Sequence, residues 1–373
     1  MSTSRMPAAS ALAEELYTKD GRPPVLLLDV GCSGGIEPHW RAFGHALQIV
    51  GFDPLVAEIE RLKTVDPNGR YEAAFVGFKD YDSLLPEAVR RDPIASRDNG
   101  WHRRCSTALL QRLKGTQYTR DVFNSGQPVV HADRHLDLDD YAAAEGIERI
   151  DFLKVDTDGT DYRVLLGAQK LLARSCLGVS IEVQFLGPAH PHSDSFSSID
   201  LLLRQSGFTL IDLECARYTR SALPGPFCYD TPSQTEGGAV LWGEAIYARD
   251  LADPDYRHKA NFPVVAEDVL KLAVFYEISG FPDCAAELLV KRRSLIEGIV
   301  DVDRLLDRIT PDWLGPGKTH AEYMAAFMRD PEALLPHRLT QPVVATPIER
   351  QTFLQRILRR QVSRKRSASK SRQ

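Results

Sequence analysis

Short apolar runs alternate with longer amphipathic segments over the first two thirds of the chain. PVLLLDV (24–30), ALQIVGFD (46–53), YEAAFVGF (71–78) and RIDFLKVD (149–156) are continuously hydrophobic, and LGVSIEV (177–183) extends the series. Strands covered on both faces read this way, so the runs predict buried parallel strands. PLVAEIERLKTV and TDYRVLLGAQKLLARS lie between them; in the second, Val164, Leu165, Ala168, Leu171 and Leu172 recur at helical spacing. SSIDLLLRQSG predicts another helix, ended by Gly207, and leads into FTLIDLECARY; GGAVLWGEAIYAR (237–249) predicts a further strand. Strand and helix in alternation predict an α/β domain with a doubly wound, mostly parallel sheet.

After about residue 250 the strand signals stop. AEDVLKLAVFYEISGFPDCAAELLVKRRSLIEGI predicts a helical hairpin turning at Gly280-Phe281-Pro282, and THAEYMAAFMRDPEALL adds helix. One hairpin is loosely similar to a tetratricopeptide unit, but no second copy follows at a fixed period, so a helical extension packed on the sheet domain is expected. The expected organisation is an N-terminal helix and linker (1–22), a sheet domain (23–250) with a long polar insertion or lid (79–127), a helical extension (251–345) and a basic segment (346–373). In the insertion, Trp101, Arg103 and Arg104 offer an aromatic and guanidinium platform for a sugar or an anionic acceptor; the alternative is a solvated charged loop. In IERQTFLQRILRR (348–360), Phe353, Leu354, Ile357 and Leu358 share one face among arginines, a pattern for peripheral membrane or protein contact or for a helix docked on the domain.

Composition narrows the class. With 43% hydrophobic and 26% charged residues in 373, the chain has the makeup of a soluble globular protein, and no apolar stretch is long enough to span a membrane. A cytoplasmic location is expected. The six cysteines are scattered without CxxC spacing, which predicts free thiols rather than a disulfide framework or a structural zinc site. The net charge of −5 includes seven Lys and Arg and no acid in residues 359–373, so the rest carries about −12 and argues against a nucleic-acid-binding core.

The candidate chemistry begins at VLLLDVGCSGG (25–35). Gly31-Cys32-Ser33-Gly34-Gly35 satisfies G-x-S-x-G, the elbow that exposes a nucleophilic serine in hydrolases, and it equally suits a loop that lets a nucleotide-like cofactor approach the backbone. Position favours the loop: Ser33 follows the first strand, whereas the elbow needs earlier strands for its oxyanion loop. Asp29 ends that strand, and Asp53 stands at the next strand tip, where an acid accepts hydrogen bonds from a ribose. A nucleoside cofactor is implied, and the glycine spacing does not give the G-x-G-x-x-G expected for NAD. The turn resembles the D-V-G-x-G-x-G loop of class I S-adenosylmethionine-dependent methyltransferases, with Ser33 in place of the middle glycine.

HLDLDDYAAAEGIERIDFLKVDTDGTDYRVLLGAQKLL (135–172) is more specific. It resembles the FkbM-type methyltransferases, in which T-L-D-D is followed by I-D-F-L-K-I-D-V-E-G-x-E-x-x-V-L-x-G-A; Asp158 and Asp161 stand where that family usually carries Glu. The likeness runs in order over roughly residues 25 to 250. It implies a seven-stranded, Rossmann-like class I fold, S-adenosyl-L-methionine as cofactor held by Asp29, Gly31, Ser33, Gly35 and Asp53, and methyl transfer to a hydroxyl of a glycan sugar or other secondary metabolite. Asp156, Asp158 and Glu182 are expected to converge at the C-terminal strand edge. Such a cluster can hold a divalent metal or supply a general base, or can serve only in capping and hydrogen bonding. His190 and His192 on the following loop are further base candidates or surface histidines. Lys154, buried among apolar neighbours, is expected to pair with one of the acids. The rival reading is a non-catalytic module that keeps nucleoside binding and contacts a partner in a glycan-assembly complex.

Overall fold

The computed structural model describes residues 10–17, 21–91, 131–187, 189–219, 234–256 and 262–335. Trp101, Arg103 and Arg104, most of the insertion, and the basic segment 346–373 with its expected amphipathic helix lie outside these residues. The chain divides into two compact units, one drawn from 1–25, 37–47 and 250–350, the other chiefly from 26–36 and 48–249.

The second unit is built on β1 (Val25–Val30), β2 (Leu47–Asp53), β3 (Arg70–Ala73), β4 (Phe75–Val76), β5 (His135–Leu136), β6 (Phe152–Val155), β7 (Gly178–Gln184), β8 (Thr209–Tyr218) and β9 (Ala239–Ala248). Seven of these form one sheet in the order β3-β2-β1-β6-β7-β9-β8. Parallel pairing joins β1 to β6, β2 to β3 and β6 to β7, while β9 runs antiparallel to both β7 and β8. The fold is the class I, Rossmann-like sheet expected, mostly parallel with flanking helices. The apolar runs explain it: Leu27, Leu28, Phe52, Phe152, Leu153 and Val179 are wholly buried, each burial contributing about 1.5–3 kcal/mol. Strand order reverses between β1 and β6, and ligands of such sheets bind outside the C-terminal strand ends at that reversal.

Two expected elements are divided. The run 71–78 is not one strand: β3 pairs with β2, and β4 pairs with β5 in a separate two-stranded sheet. The Ala74 N–H meets the Asp53 carbonyl at the end of β2, after which Phe75 N–H turns to the Arg134 carbonyl at 2.9 Å. Likewise 160–175 is two helices, Asp161–Leu166 and Gln169–Arg174. The Asp139 N–H donates to the Gly167 carbonyl, and the Asp139 carboxylate accepts from Lys170 and Leu171 N–H at 2.8 and 3.0 Å, starting the second helix afresh.

In the first unit, the hairpin read from the sequence forms from Ala266–Ile278 and Pro282–Lys291, with Gly280 at φ +90° and Pro282 opening the second helix. From Asp268 onward Ala266–Ile278 is buried on every face, so its charged residues need internal partners. Lys271 Nζ donates to the Pro24 carbonyl at 2.6 Å, and the Glu277 carboxylate accepts from Ala11 and Leu12 N–H at 2.8 and 3.0 Å and from the Ser10 hydroxyl. Residues 37–47 lie within the span expected for the sheet domain (23–250) but belong to this helical unit, because Trp40 packs on Phe275 and Phe43 on Tyr17. Among the described residues Cys32, Cys176, Cys215 and Cys284 are free thiols, and no helix is long and apolar enough to cross a membrane.

Candidate active site

β1 ends in Asp29-Val30, and the chain then turns through Gly31, Gly34 and Gly35, all at positive φ (82°, 93° and 87°). Gly31 N–H donates to the Phe52 carbonyl at 2.8 Å, which binds the turn to β2. A Cβ at Gly31 would sit 1.9 Å from the backbone oxygen of Asp156, so only glycine lets the loop rest on the end of β6. Ser33 does not share that need. Asp158 is the sole non-glycine at positive φ among the described residues, so Ser33 occupies an ordinary backbone conformation and a glycine is dispensable there. The same fact removes the hydrolase elbow, whose nucleophile sits on a strained turn.

Buried acids hold this loop. Asp53 Oδ2 accepts from Ser33 N–H at 3.1 Å and Oδ1 from Leu55 N–H at 2.8 Å. Glu58, in the first turn of the helix Val56–Val65, accepts from Gly34 N–H at 2.6 Å and is paired in fork geometry with Arg61 at 2.7 and 2.9 Å. Glu58 went unnoticed in the sequence; its signal is an acid five residues past the strand-tip Asp53. Burial, reinforced by the charges of Asp29 and Asp53, pushes the Cys32 thiol well above its usual range, so that thiol stays protonated.

Parallel register sets Asp29 beside Lys154. Lys154 Nζ lies 3.1 Å from Asp29 Oδ1, 3.0 Å from the Gly31 carbonyl and 3.7 Å from Asp156 Oδ2, tying the loop to β6 as the expected buried ion pair. Beyond β6 the chain turns sharply, with Asp158 at φ +60° and Gly159 at +108°; a non-glycine in that region costs on the order of 1 kcal/mol. Asp161 makes the turn: its wholly buried carboxylate accepts from Thr157 N–H (2.8 Å), Thr157 Oγ1 (3.0 Å) and Gly159 N–H (3.1 Å).

Asp156, Asp158 and Glu182 meet at this edge. One carboxylate oxygen from each lies within 4.8 Å of the others, with Asp158 exposed, Asp156 half-buried and Glu182 buried. The Glu182 Oε2 is shielded from solvent and has no hydrogen-bond partner among the described residues. Burial first, then the neighbouring charge of Asp156, pushes the Glu182 carboxyl well above the usual range. The first-turn N–H groups of the neighbouring helices are taken by Asp194, at Tyr162, and by Asp139, at Lys170 and Leu171.

His190 and His192 sit apart from that trio in their contacts. His192 N–H meets His190 Nδ1 at 3.2 Å, the His192 ring lies 3.3 Å from the Tyr162 hydroxyl, and Tyr81 donates to the His192 carbonyl. Burial and the nearby His192 lower the His190 pKa, so it is neutral at neutral pH. Asp194, another residue the sequence did not single out, anchors this loop by accepting from Tyr162 N–H at 2.8 Å. Desolvation pushes its carboxyl up to about 6, and burial together with the charge of Asp194 raises the Asp161 carboxyl well above its ordinary value.

Residues 94–210, just under a third of the chain, match the model of the methyltransferase FkbM domain, which bears out the family expected from the sequence. The match starts after the glycine-rich loop and Asp53, which therefore stand on their own geometry. No curated protein matches. Among solved structures the chain is similar to a TehB-like SAM-dependent methyltransferase from Corynebacterium glutamicum, with 11% identity over 64% of this chain and 88% of that chain and a TM-score of 0.26. It is also similar to the N-terminal domain of EvdMO1 with SAH bound (12%, 66% and 82%, 0.29) and to a SAM-dependent methyltransferase from Aquifex aeolicus (11%, 63% and 89%, 0.25). The strand order shows the fold, and residues 94–210 carry the match to the FkbM domain.

Proposed function

We propose that this protein is an S-adenosylmethionine-dependent O-methyltransferase acting on a hydroxyl of a glycan sugar or another secondary metabolite. The observation that carries the reading is the seating of Gly31 on the Asp156 backbone, which makes the nucleoside loop and the carboxylate edge one site at the reversal of strand order. Gly31, Gly34 and Gly35, at positive φ and without side chains, let the cofactor approach the loop backbone closely, and Asp53 stands at the tip of β2, where an acid accepts from ribose hydroxyls. Bound there, S-adenosylmethionine supplies an electrophilic methyl carbon, and transfer leaves S-adenosylhomocysteine.

The residues of the chain must orient the acceptor hydroxyl in line with that carbon and receive its proton. Asp156, Asp158 and Glu182 line the transfer site and hold the hydroxyl, and the exposed Asp158 passes the proton to solvent. His190, neutral at neutral pH, is the second candidate to accept it.

Calorimetric titration of S-adenosylhomocysteine into the full chain tests the reading. Saturable binding is expected, weakened about tenfold or more in Asp53→Ala; no binding, or binding unchanged by that substitution, overturns it. Mass-spectrometric assay of a glycan and polyol panel tests catalysis, and tight binding without turnover on any acceptor favours the non-catalytic module.

A further inference from the structure

We infer that Asp156, Asp158 and Glu182 form a binding site for one divalent cation of the hard, oxygen-seeking class, such as magnesium, manganese or calcium. The inference deepens the proposed function, since it rests on the same edge receiving the acceptor, but it makes a claim of its own about the acids.

Three observations carry it. The three carboxylates come from β7 and from the turn after β6, and one oxygen of each lies within 4.8 Å of the others. Oxygens held about 2.1–2.6 Å from a single ion stand up to roughly 5 Å apart across it, so the three span one coordination sphere. Glu182 is 93% buried, being 7% exposed, and its Oε2 has no hydrogen-bond partner among the described residues, although a buried carboxylate oxygen left unfilled costs stability. That oxygen belongs to the cluster's own buried member, where a cation would answer it. Lys154 is already divided between Asp29 at 3.1 Å and Asp156 at 3.7 Å, so its single charge serves two other acids.

The donor set selects the ion. Three carboxylates, with no cysteine or histidine in the group among the described residues, suit a hard cation and disfavour zinc or copper. Three protein ligands leave about three positions of a six-coordinate ion for water or acceptor oxygens. An acceptor with two adjacent hydroxyls fits that opening better than a lone alcohol.

The test is titration of the full chain with manganese chloride, free manganese being read by electron paramagnetic resonance. One saturable site per chain is expected, displaced by magnesium or calcium, with affinity lowered about tenfold or more in Glu182→Gln and in Asp158→Asn. Asp158 is exposed, so its variant keeps the question open to measurement even where Glu182→Gln misfolds. Absence of saturable binding, binding unchanged in both variants, or binding that neither magnesium nor calcium displaces would overturn the inference. Manganese binding with no S-adenosylhomocysteine binding would leave the cation site standing and defeat the methyltransferase reading; the reverse result would do the opposite.

Discussion

At the β1–β2 edge each buried acid is answered by the chain itself, whereas the β6–β7 edge leaves one unanswered. Asp29 has Lys154, Asp53 has the N–H groups of Ser33 and Leu55, and Glu58 has Gly34 N–H and Arg61. Glu182, by contrast, keeps a shielded Oε2 with no hydrogen-bond partner among the described residues, close to Asp156 and Asp158. A loop that must present a fixed surface to a cofactor is rigidified by internal bonds, while an edge that must exchange protons or ions keeps a carboxyl oxygen unfilled. The cost at the second edge is met by folding around it, through the turn that Asp161 holds.

The largest effect that would break this contrast is expected from Gly31→Ala. Its Cβ would overlap the Asp156 carbonyl at 1.9 Å in a backbone conformation of φ +82°. A loss of about 3 kcal/mol or more is expected, with loss of S-adenosylhomocysteine binding, read by chemical denaturation and calorimetry. A stability change under about 1 kcal/mol would mean that the loop does not rest on β6.

A smaller effect comes from pH. Asp194 has its folded-state pKa raised to about 6, so the folded chain holds this proton more tightly than the unfolded one. Its contribution to stability is therefore complete below pH ~4, near the unfolded value, and is lost as pH rises through about 6. Asp194→Asn removes that loss, so the melting temperature of the variant relative to wild type should be higher at pH 8 than at pH 5. The same difference at both pH values would show that the carboxyl does not titrate there.

The smallest effect is expected from Ser33→Gly. Because Ser33 needs no positive φ, the change should cost only about 0.5–1 kcal/mol through the freer unfolded chain and leave S-adenosylhomocysteine affinity within about twofold. Abolished affinity would give the hydroxyl a role that the backbone geometry does not.

Much of the sheet was legible because its signals are local. Continuous apolar runs marked β1, β2, β6 and β7, and the glycine burst after β1 marked a turn at positive φ. The acids at the strand tips were legible for the same reason: a strand that ends in Asp29 or Asp156 delivers it to the ligand edge. The helix break at Gly167-Ala168 was hidden, since its cause is Asp139, which reaches Lys170 and Leu171 from another helix. Glu58 was hidden as well, reading as an ordinary helix-surface acid until the loop folded over it.

By itself, then, the sequence determined the succession of elements, the glycine loop, the family motif and which acids reach the strand edge. Each of these depends on neighbours along the chain through periodicity, turn propensity and strand length. Only the tertiary structure decided that β9 inserts antiparallel between β7 and β8, that Lys154 serves Asp29 and the Gly31 carbonyl, and that Asp194 reaches the Tyr162 N–H. Those outcomes depend on the register between strands far apart in sequence, which is set when the crossover helices pack and both faces of the sheet are buried.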